Sequence, residues 1–393
     1  MIFYMKGKKL ALYTCIVAAV TAVATYSLTY MANSFIFGFV PNSGASTATA
    51  VSSKLNQIED LIDLYYYKDA DKSLLTEGAL SGAVAALGDP YSSYFNDEEY
   101  ASFNEQVSGH YCGIGVTVTM DTSDGTILVV STQEGTPAYD AGLVTGDKII
   151  AINGEAIPAD LDMAVSKIKG KEGTTVALTV FKQDTGSTVD LEIERKDITL
   201  QTMTSEIIEG DIGYIQLTSF DESVEEGFTR ELESVVEQGA KSIILDLRGN
   251  PGGIVTAAKV VGDALLPECD ITYMEYKSGK REYIRSEESC YDGEIVVLVD
   301  GGSASASEIV AGALRDNDRA EIVGTQTFGK GLVQSVFGLD GGGHVKLTIA
   351  RYFTPNGDDI NEKGITPDYV VEPSDDDSVD TQLEKAVEIL HAK

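Results

Sequence analysis

Between residues 198 and 372 the chain repeats one pattern: a short apolar run, a glycine-rich turn, then an amphipathic stretch. "KSIILDLRGN" is followed by "GIVTAAKVVGDALL", and "GEIVVLVDGG" by "SEIVAGALRD". Apolar runs of this length read as strands buried on both faces, and the segments after them keep helical spacing. Such alternation predicts a layered α/β core with strands paired partly in parallel. "DIGYIQLTSF" adds a strand and "ESVEEGFTRELESVVEQG" a helix that Gly239 ends.

The flanks read differently. From Leu10 to Ser53 there is no charged residue, and Lys6, Lys8 and Lys9 precede that stretch. Its first part, "LALYTCIVAAVTAVATYSLTYM", is long enough to cross a hydrocarbon core of roughly 30 Å. The lysines in front predict a cytoplasmic tail over 1–9, a membrane anchor over 10–32 and everything after it outside the cytoplasm. A cleaved signal peptide is the competing reading. Its apolar region is shorter as a rule, and the small-residue site here, Ala48–Ala50, lies well downstream. Residues 33–53 read as a linker of small and polar residues. Residues 54–104 read as a small helical unit, with Leu55, Ile58, Leu61 and Ile62 at helical spacing. Residues 105–197 switch to strand patterns. The last segment, 373–393, is an acidic link and a short helix.

A formal net charge of −33 argues against nucleic acid and anionic lipid surfaces as partners. Of the four cysteines, Cys15 falls in the expected anchor. Cys269 and Cys290 flank a strand–turn–strand pattern, so a bridge between them is one expectation in an oxidising compartment. Two free thiols are the other. No Cys/His cluster suggests zinc.

Three stretches could carry chemistry, and each has a plainer reading. Serines 303, 305 and 307 in "GGSASASE" stand where a strand turns into a helix. Unpaired backbone N–H groups there can stabilise a developing oxyanion, but serine also caps helices routinely. A nucleophilic serine needs a base. His110, His344 and His391 are poorly placed, which leaves lysine. Lys330 in "TFGKGLVQ" lies among apolar residues that would keep an amine neutral, or else it is a surface lysine in a glycine turn. "DLRGNPGG", residues 246–253, is either an oxyanion turn or a turn only.

Together these stretches resemble the C-terminal processing peptidases, also called tail-specific proteases. That family carries a "DLRxNPGG"-like strand end, then "SASASE", then "GxxTFGKGxxQ". The resemblance implies that Ser305 is the nucleophile, that Lys330, 25 positions later, is its base, and that Gln334 orients the lysine. It implies an oxyanion hole from the Gly252 and Ala306 N–H groups. It also identifies 105–197 as resembling a PDZ domain, through "YCGIGV" and "TPAYDAGLVTGDKIIAING". Gly113, Ile114, Gly115 and Val116 would then form the loop that holds a peptide's terminal carboxylate. Lys169 stands where the family commonly has an arginine coupling the PDZ domain to the active site.

The implied architecture is an α+β multidomain chain: membrane helix, helical unit, PDZ domain, and a ClpP/crotonase-like layered α/β protease core over 198–372. The implied activity is a membrane-anchored, extracytoplasmic serine endopeptidase that needs no metal or cofactor. Its substrates would be polypeptides with free C-termini, and members of the family often pair as homodimers. A PDZ receptor or chaperone without catalysis is the alternative.

Overall fold

The computed structural model describes residues 45–393 apart from 122, 158–160, 288–289, 375 and 377. The expected anchor over 10–32 and Cys15 lie outside the described residues. Among the described residues no helix is long and apolar enough to cross a membrane. The chain divides into two compact units, one formed by Ser108–Gln201 and the other by the residues on either side of it. The helical unit read over 54–104 therefore belongs to the same unit as the layered core read over 198–372, and the PDZ-like segment is inserted between its two parts.

Helix α1, Ala45–Tyr65, begins inside the segment read as linker. After Gly44 no glycine or proline interrupts the run, and alanine favours helix. α2 spans Lys72–Ala85, with the Asp71 carboxylate accepting the Ser73 N–H at its start. A short strand that the helical reading missed follows: β1, Ser93–Phe95. α3, Asp97–Ser108, is entered through a reciprocal cap. Glu99 N donates to Asn96 Oδ1 and Asn96 N to Glu99 Oε2, both at 2.9 Å.

The inserted unit holds strands β2 (His110–Gly113), β3 (Val116–Asp121), β4 (Thr126–Thr132), β5 (Lys148–Ile152) and β6 (Glu155–Ala156). β7 (Thr175–Lys182), β8 (Ser187–Glu194) and β9 (Lys196–Thr199) follow. Its helices are α4, Pro137–Asp140, and α5, Leu161–Ile168. The main sheet runs β3-β4-β5-β7-β8 with β6 on β5, while β2 pairs with β9. Inward residues such as Ile127, Val129, Ile149, Val176, Leu178 and Val180 alternate with outward ones and form a separate core. Lys169 lies over the Tyr111 ring, 5.0 Å from its centroid, within this unit.

The remainder contains β10 (Met203–Ile208), β11 (Ile212–Leu217), α6 (Glu222–Glu237), β12 (Ser242–Asp246) and α7 (Val255–Leu265). Next come β13 (Asp270–Tyr276), β14 (Arg281–Arg285), β15 (Glu294–Val299) and α8 (Ala306–Asp316). β16 (Glu321–Gly324), β17 (Leu332–Gly338), β18 (His344–Phe353), β19 (Tyr369–Val370) and α9 (Thr381–His391) complete it. One sheet has the order β10-β11-β12-β15-β16-β19 and is parallel from β11 onward. β10 adds an antiparallel edge. Ile243, Leu245, Ile295, Val297 and Val299 join the large core with residues of α6, α7 and α8. Ile244, Val296 and Leu298 on the opposite face pack with Ala386, Ile389 and Leu390 of α9. This two-sided burial is why the strand sequences are continuously apolar rather than alternating. A second sheet, β1-β18-β13-β14 with β17 on β18, is antiparallel.

The expected Cys269–Cys290 bridge is absent: both thiols are free. In the β13–β14 hairpin Asp270 pairs with Arg285, so the residue opposite Cys269 is Ser286. Ser286 N donates to Cys269 O at 3.0 Å, and its hydroxyl lies 3.4 Å from Cys269 Sγ. Cys290 is four positions beyond that partner in the chain.

Candidate active site

Strands β12, β15 and β16 are adjacent and parallel, so the loops at their C-terminal ends emerge side by side. These three loops carry the three stretches singled out in the sequence. Open α/β sheets bind ligands at this edge.

The serines of "SASAS" do different things. Ser303 Oγ donates to Leu247 O at 2.8 Å and accepts Asp300 N at 2.9 Å. Ser307 Oγ donates to Asn250 O at 2.9 Å. Both therefore bolt the start of α8 to the loop after β12. Ser305 sits at the helix N-cap with φ 56° and ψ −114°. A non-glycine residue held there stores strain of order 1–3 kcal/mol. Its backbone N–H goes to the side chain of Glu308, as in a capping box.

Glu308 is fully buried in α8 and its two oxygens take four donors. Oε1 accepts Thr327 Oγ1 at 2.6 Å and Gly329 N at 2.8 Å. Oε2 accepts Ser305 N at 2.8 Å and Lys330 N at 2.9 Å. Burial pushes its carboxyl up, against the pull of those bonds. The loop bearing Lys330 is thus clamped to the helix that Ser305 opens.

Lys330 is 1% exposed. Its Nζ lies 4.5 Å from the centroid of the Tyr91 ring. Burial, and then the charge of Lys346, lower its amine to about 7, while Glu308 and Asp89 act the other way. Such an amine is partly neutral near neutrality. Tyr352, also buried, donates its hydroxyl to Lys330 O. Burial holds that phenol well above its ordinary range.

Gln334 is buried on β17, and its Nε2 donates to Thr348 Oγ1 at 3.2 Å. Its Oε1 is enclosed with no hydrogen-bond partner among the described residues. Thr348 N in turn donates to Ser92 Oγ, and Ser92 Oγ donates to Asp89.

Gly252 lies against the serine. A Cβ built on it would stand 2.8 Å from both Ser305 Cβ and Ala306 N, at a φ of 94°. Its own N–H donates to Asn250 Oδ1 at 2.8 Å, and Asn250 Nδ2 donates to Leu217 O at 2.9 Å. Ala306 is the first residue of α8.

Ser305, Lys330, Gly252 and Ala306 therefore come together through Glu308 and the Gly252 turn, while Gln334 stands on β17 with Thr348 as its hydrogen-bond partner. In the inserted unit Gly113 ends β2, Ile114 and Gly115 form the link, and Val116 opens β3; Ile114 is buried and its carbonyl accepts Ala138 N. Tyr352, Asp89 and Tyr91 escaped the sequence reading, and Asn250 and Glu308 stood inside its motifs without a role. Only Glu308 had a local signal, the Ser-x-x-Glu spacing of a capping box.

The comparisons with known proteins fit this geometry. The family model of peptidase family S41 matches residues 211–371, and that of a PDZ domain residues 112–193. The model of the activating protease CtpB N-terminal domain matches residues 20–99. The carboxy-terminal processing protease CtpA of Bacillus subtilis is 39% identical over 91% of this chain and 77% of its own length. CtpB of the same organism is 33% identical over 85% of this chain and 72% of its own. Among solved structures, the photosystem II D1 C-terminal processing protease aligns over 98% of both chains with 26% identity and a TM-score of 0.51. The chain belongs to peptidase family S41, as a carboxy-terminal processing serine protease that carries a PDZ domain.

Proposed function

We propose that Ser305 is the nucleophile of this peptidase and Lys330 its general base. The neutral Lys330 amine takes the hydroxyl proton as Ser305 Oγ attacks a peptide carbonyl. The tetrahedral oxyanion forms at the N-terminal end of α8, where the Ala306 N–H and the helix dipole favour negative charge. The protonated Lys330 then gives its proton to the leaving amine, and an acyl-enzyme remains. Water, losing a proton to Lys330, releases the new C-terminus and regenerates the serine. Gln334 Oε1 is the acceptor proposed to orient the lysine amine. Gly252 N–H would join Ala306 in the oxyanion hole on leaving Asn250 Oδ1.

The observation that carries this reading is Lys330 itself. A lysine 1% exposed, with its amine lowered to about 7, is costly to keep and suited to act as a base. Purified Ser305→Ala and Lys330→Ala proteins should not cleave casein, and Lys330→Arg should be equally inactive because arginine stays protonated. Proteolysis surviving in folded Ser305→Ala protein would refute the assignment.

The inserted PDZ unit is proposed to capture the substrate's C-terminal residues through Gly113–Val116, as an added strand. Peptides with free C-termini should then be cut faster than the same peptides amidated. Residues 10–32 are proposed as an anchor that leaves the catalytic unit outside the cytoplasm. Carbonate-resistant membrane sedimentation and digestion of the intact chain from the outer face test this. A homodimer through the N-terminal helices is the last element, since Ile58, Leu61 and Leu64 on α1 are all exposed. Light scattering on Leu61→Glu against the parent protein would decide it.

A further inference from the structure

Lys330 is not the only buried lysine beside the site. Lys346 on β18 is 3% exposed, and its Nζ lies 5.2 and 5.3 Å from the ring centroids of Phe95 and Phe103. It pairs with Ser93 of β1 on one side and with Val336 of β17 on the other. One short segment, Asp89–Phe95, therefore covers both amines, with Tyr91 over Lys330 and Phe95 over Lys346. Asp89 is the carboxylate that acts on both. It is already engaged by Tyr91 N at 3.0 Å and by Ser92 Oγ at 2.5 Å. Glu308 also faces Lys330, but four donors occupy its oxygens. Tyr352 and Tyr91 bring no charge. Around Lys346, Glu98 and Glu99 line a cavity of about 390 Å³ that the lysine itself borders.

We propose that Lys346 is a positioning residue of the peptidase reaction, acting through the positive charge it places beside Lys330 under the Asp89–Phe95 cover. The two buried amines lie under one covering segment, whose Asp89 acts on both. A proton on Lys346 then disfavours a proton on Lys330, the arrangement by which a neighbouring cation activates a lysine. Burial lowers Lys346 only to about 8, so it remains mostly charged at the pH where Lys330 must be neutral.

This rests on Lys330 being the base, and the test separates the two ideas. The kcat/KM of the full chain on a peptide substrate is followed from pH 5.5 to 9.5 for the parent, Lys346→Met and Lys346→Arg. Methionine removes the charge and keeps the stem; arginine keeps the charge. Losing the charge lets Lys330 hold its proton to higher pH. Lys346→Met should fall about 3-fold or more below the parent at pH 6, with the deficit shrinking as pH rises and the parent's own Lys346 discharges. Lys346→Arg should keep the parent's acid limb. An unmoved acid limb in Lys346→Met, or an equal loss at every pH in both variants, would overturn the proposal. If Lys346→Met does not fold, Lys346→Gln is read the same way. Ser305→Ala and Lys330→Ala run alongside: activity in either overturns the base assignment, whereas inactivity in both with an unmoved limb overturns only the role of Lys346.

Discussion

Ser305 and Lys330 donate their backbone N–H groups to one oxygen, Glu308 Oε2, at 2.8 and 2.9 Å. The carboxylate is fully buried and serves Thr327 and Gly329 with its other oxygen. One side chain therefore ties together the backbones of the proposed nucleophile and base. Glu308→Ala should leave buried donors unpaired and cost about 3 kcal/mol or more in urea unfolding. Glu308→Gln turns an amide N–H toward donors that need an acceptor. It should lower kcat on the order of 100-fold with little change in KM, because substrate binding is not its task.

The amine of Lys330, lowered to about 7 by burial and by the charge of Lys346, gives the enzyme an acid limb. Only the neutral form accepts the serine proton. Initial rates of kcat/KM should fall about tenfold per pH unit well below 7 and level off above it. A limb set by a histidine would lie in the same region. Among the described residues, however, His110 is in the inserted unit and His344 stacks on Tyr100 with centroids 3.6 Å apart. Replacing all three histidines should leave the limb in place.

A lysine held neutral destabilises the fold that holds it. The unfolded chain keeps Lys330 protonated up to about 10.5, whereas the folded chain releases that proton near 7. Between those values the unfolded state binds more protons, so stability rises with pH. At 1.36 kcal/mol per unit the cost at pH 7 is on the order of 4 kcal/mol. Lys330→Met should be inactive and yet unfold at higher temperature than the parent. That gain should be largest below pH 7 and fade as pH rises toward 10.5, as differential scanning calorimetry across pH would record.

How much of this was legible depends on whether a feature is local. The parallel sheet was, because strands β12 and β15 are apolar on both faces. The loops that carry Ser305 and Lys330 were too, because each is a short patterned turn at the end of a parallel strand. Tyr352 was not: it stands on β18, and only the β17–β18 pairing brings its hydroxyl onto Lys330 O. Asp89 and Tyr91 were read as the end of a helical unit without chemistry, since nothing local says that they cover a lysine. The sequence left the Cys269–Cys290 pairing open for the same reason, as hairpin register decides which residue faces Cys269.

Arg248 ties the loop after β12 to the chain's last helix. Its guanidinium donates to Asp246, which is fully buried, and to both oxygens of Asp380, the N-cap of α9. Asp246 also accepts the Tyr214 hydroxyl at 2.6 Å. Arg248→Ala leaves a buried carboxylate without its cation and should cost roughly 3 kcal/mol. Amide exchange in α9 should rise before exchange in the central strands. Lys in this position keeps the charge but cannot fork to two carboxylates, so Arg248→Lys should recover only part of the loss.

Gly252 offers the sharpest separation of strain from contact. At φ 94°, any side chain there meets backbone strain, and its Cβ would also stand 2.5 Å from Ala304 O and 2.8 Å from Ala306 N. Gly239 has a similar φ, 106°, with nothing within 4 Å of such a Cβ. Gly239→Ala therefore reports the strain alone, about 1–2 kcal/mol, and should leave turnover at the parent level. Gly252→Ala carries the same strain plus displacement of the turn from Ser305 and Ala306. It should cost at least as much stability and lower kcat on the order of 100-fold, the scale of a damaged oxyanion hole. Equal kcat in the two variants, measured on one peptide at pH 8, would mean that the close approach of Gly252 to Ser305 has no part in catalysis.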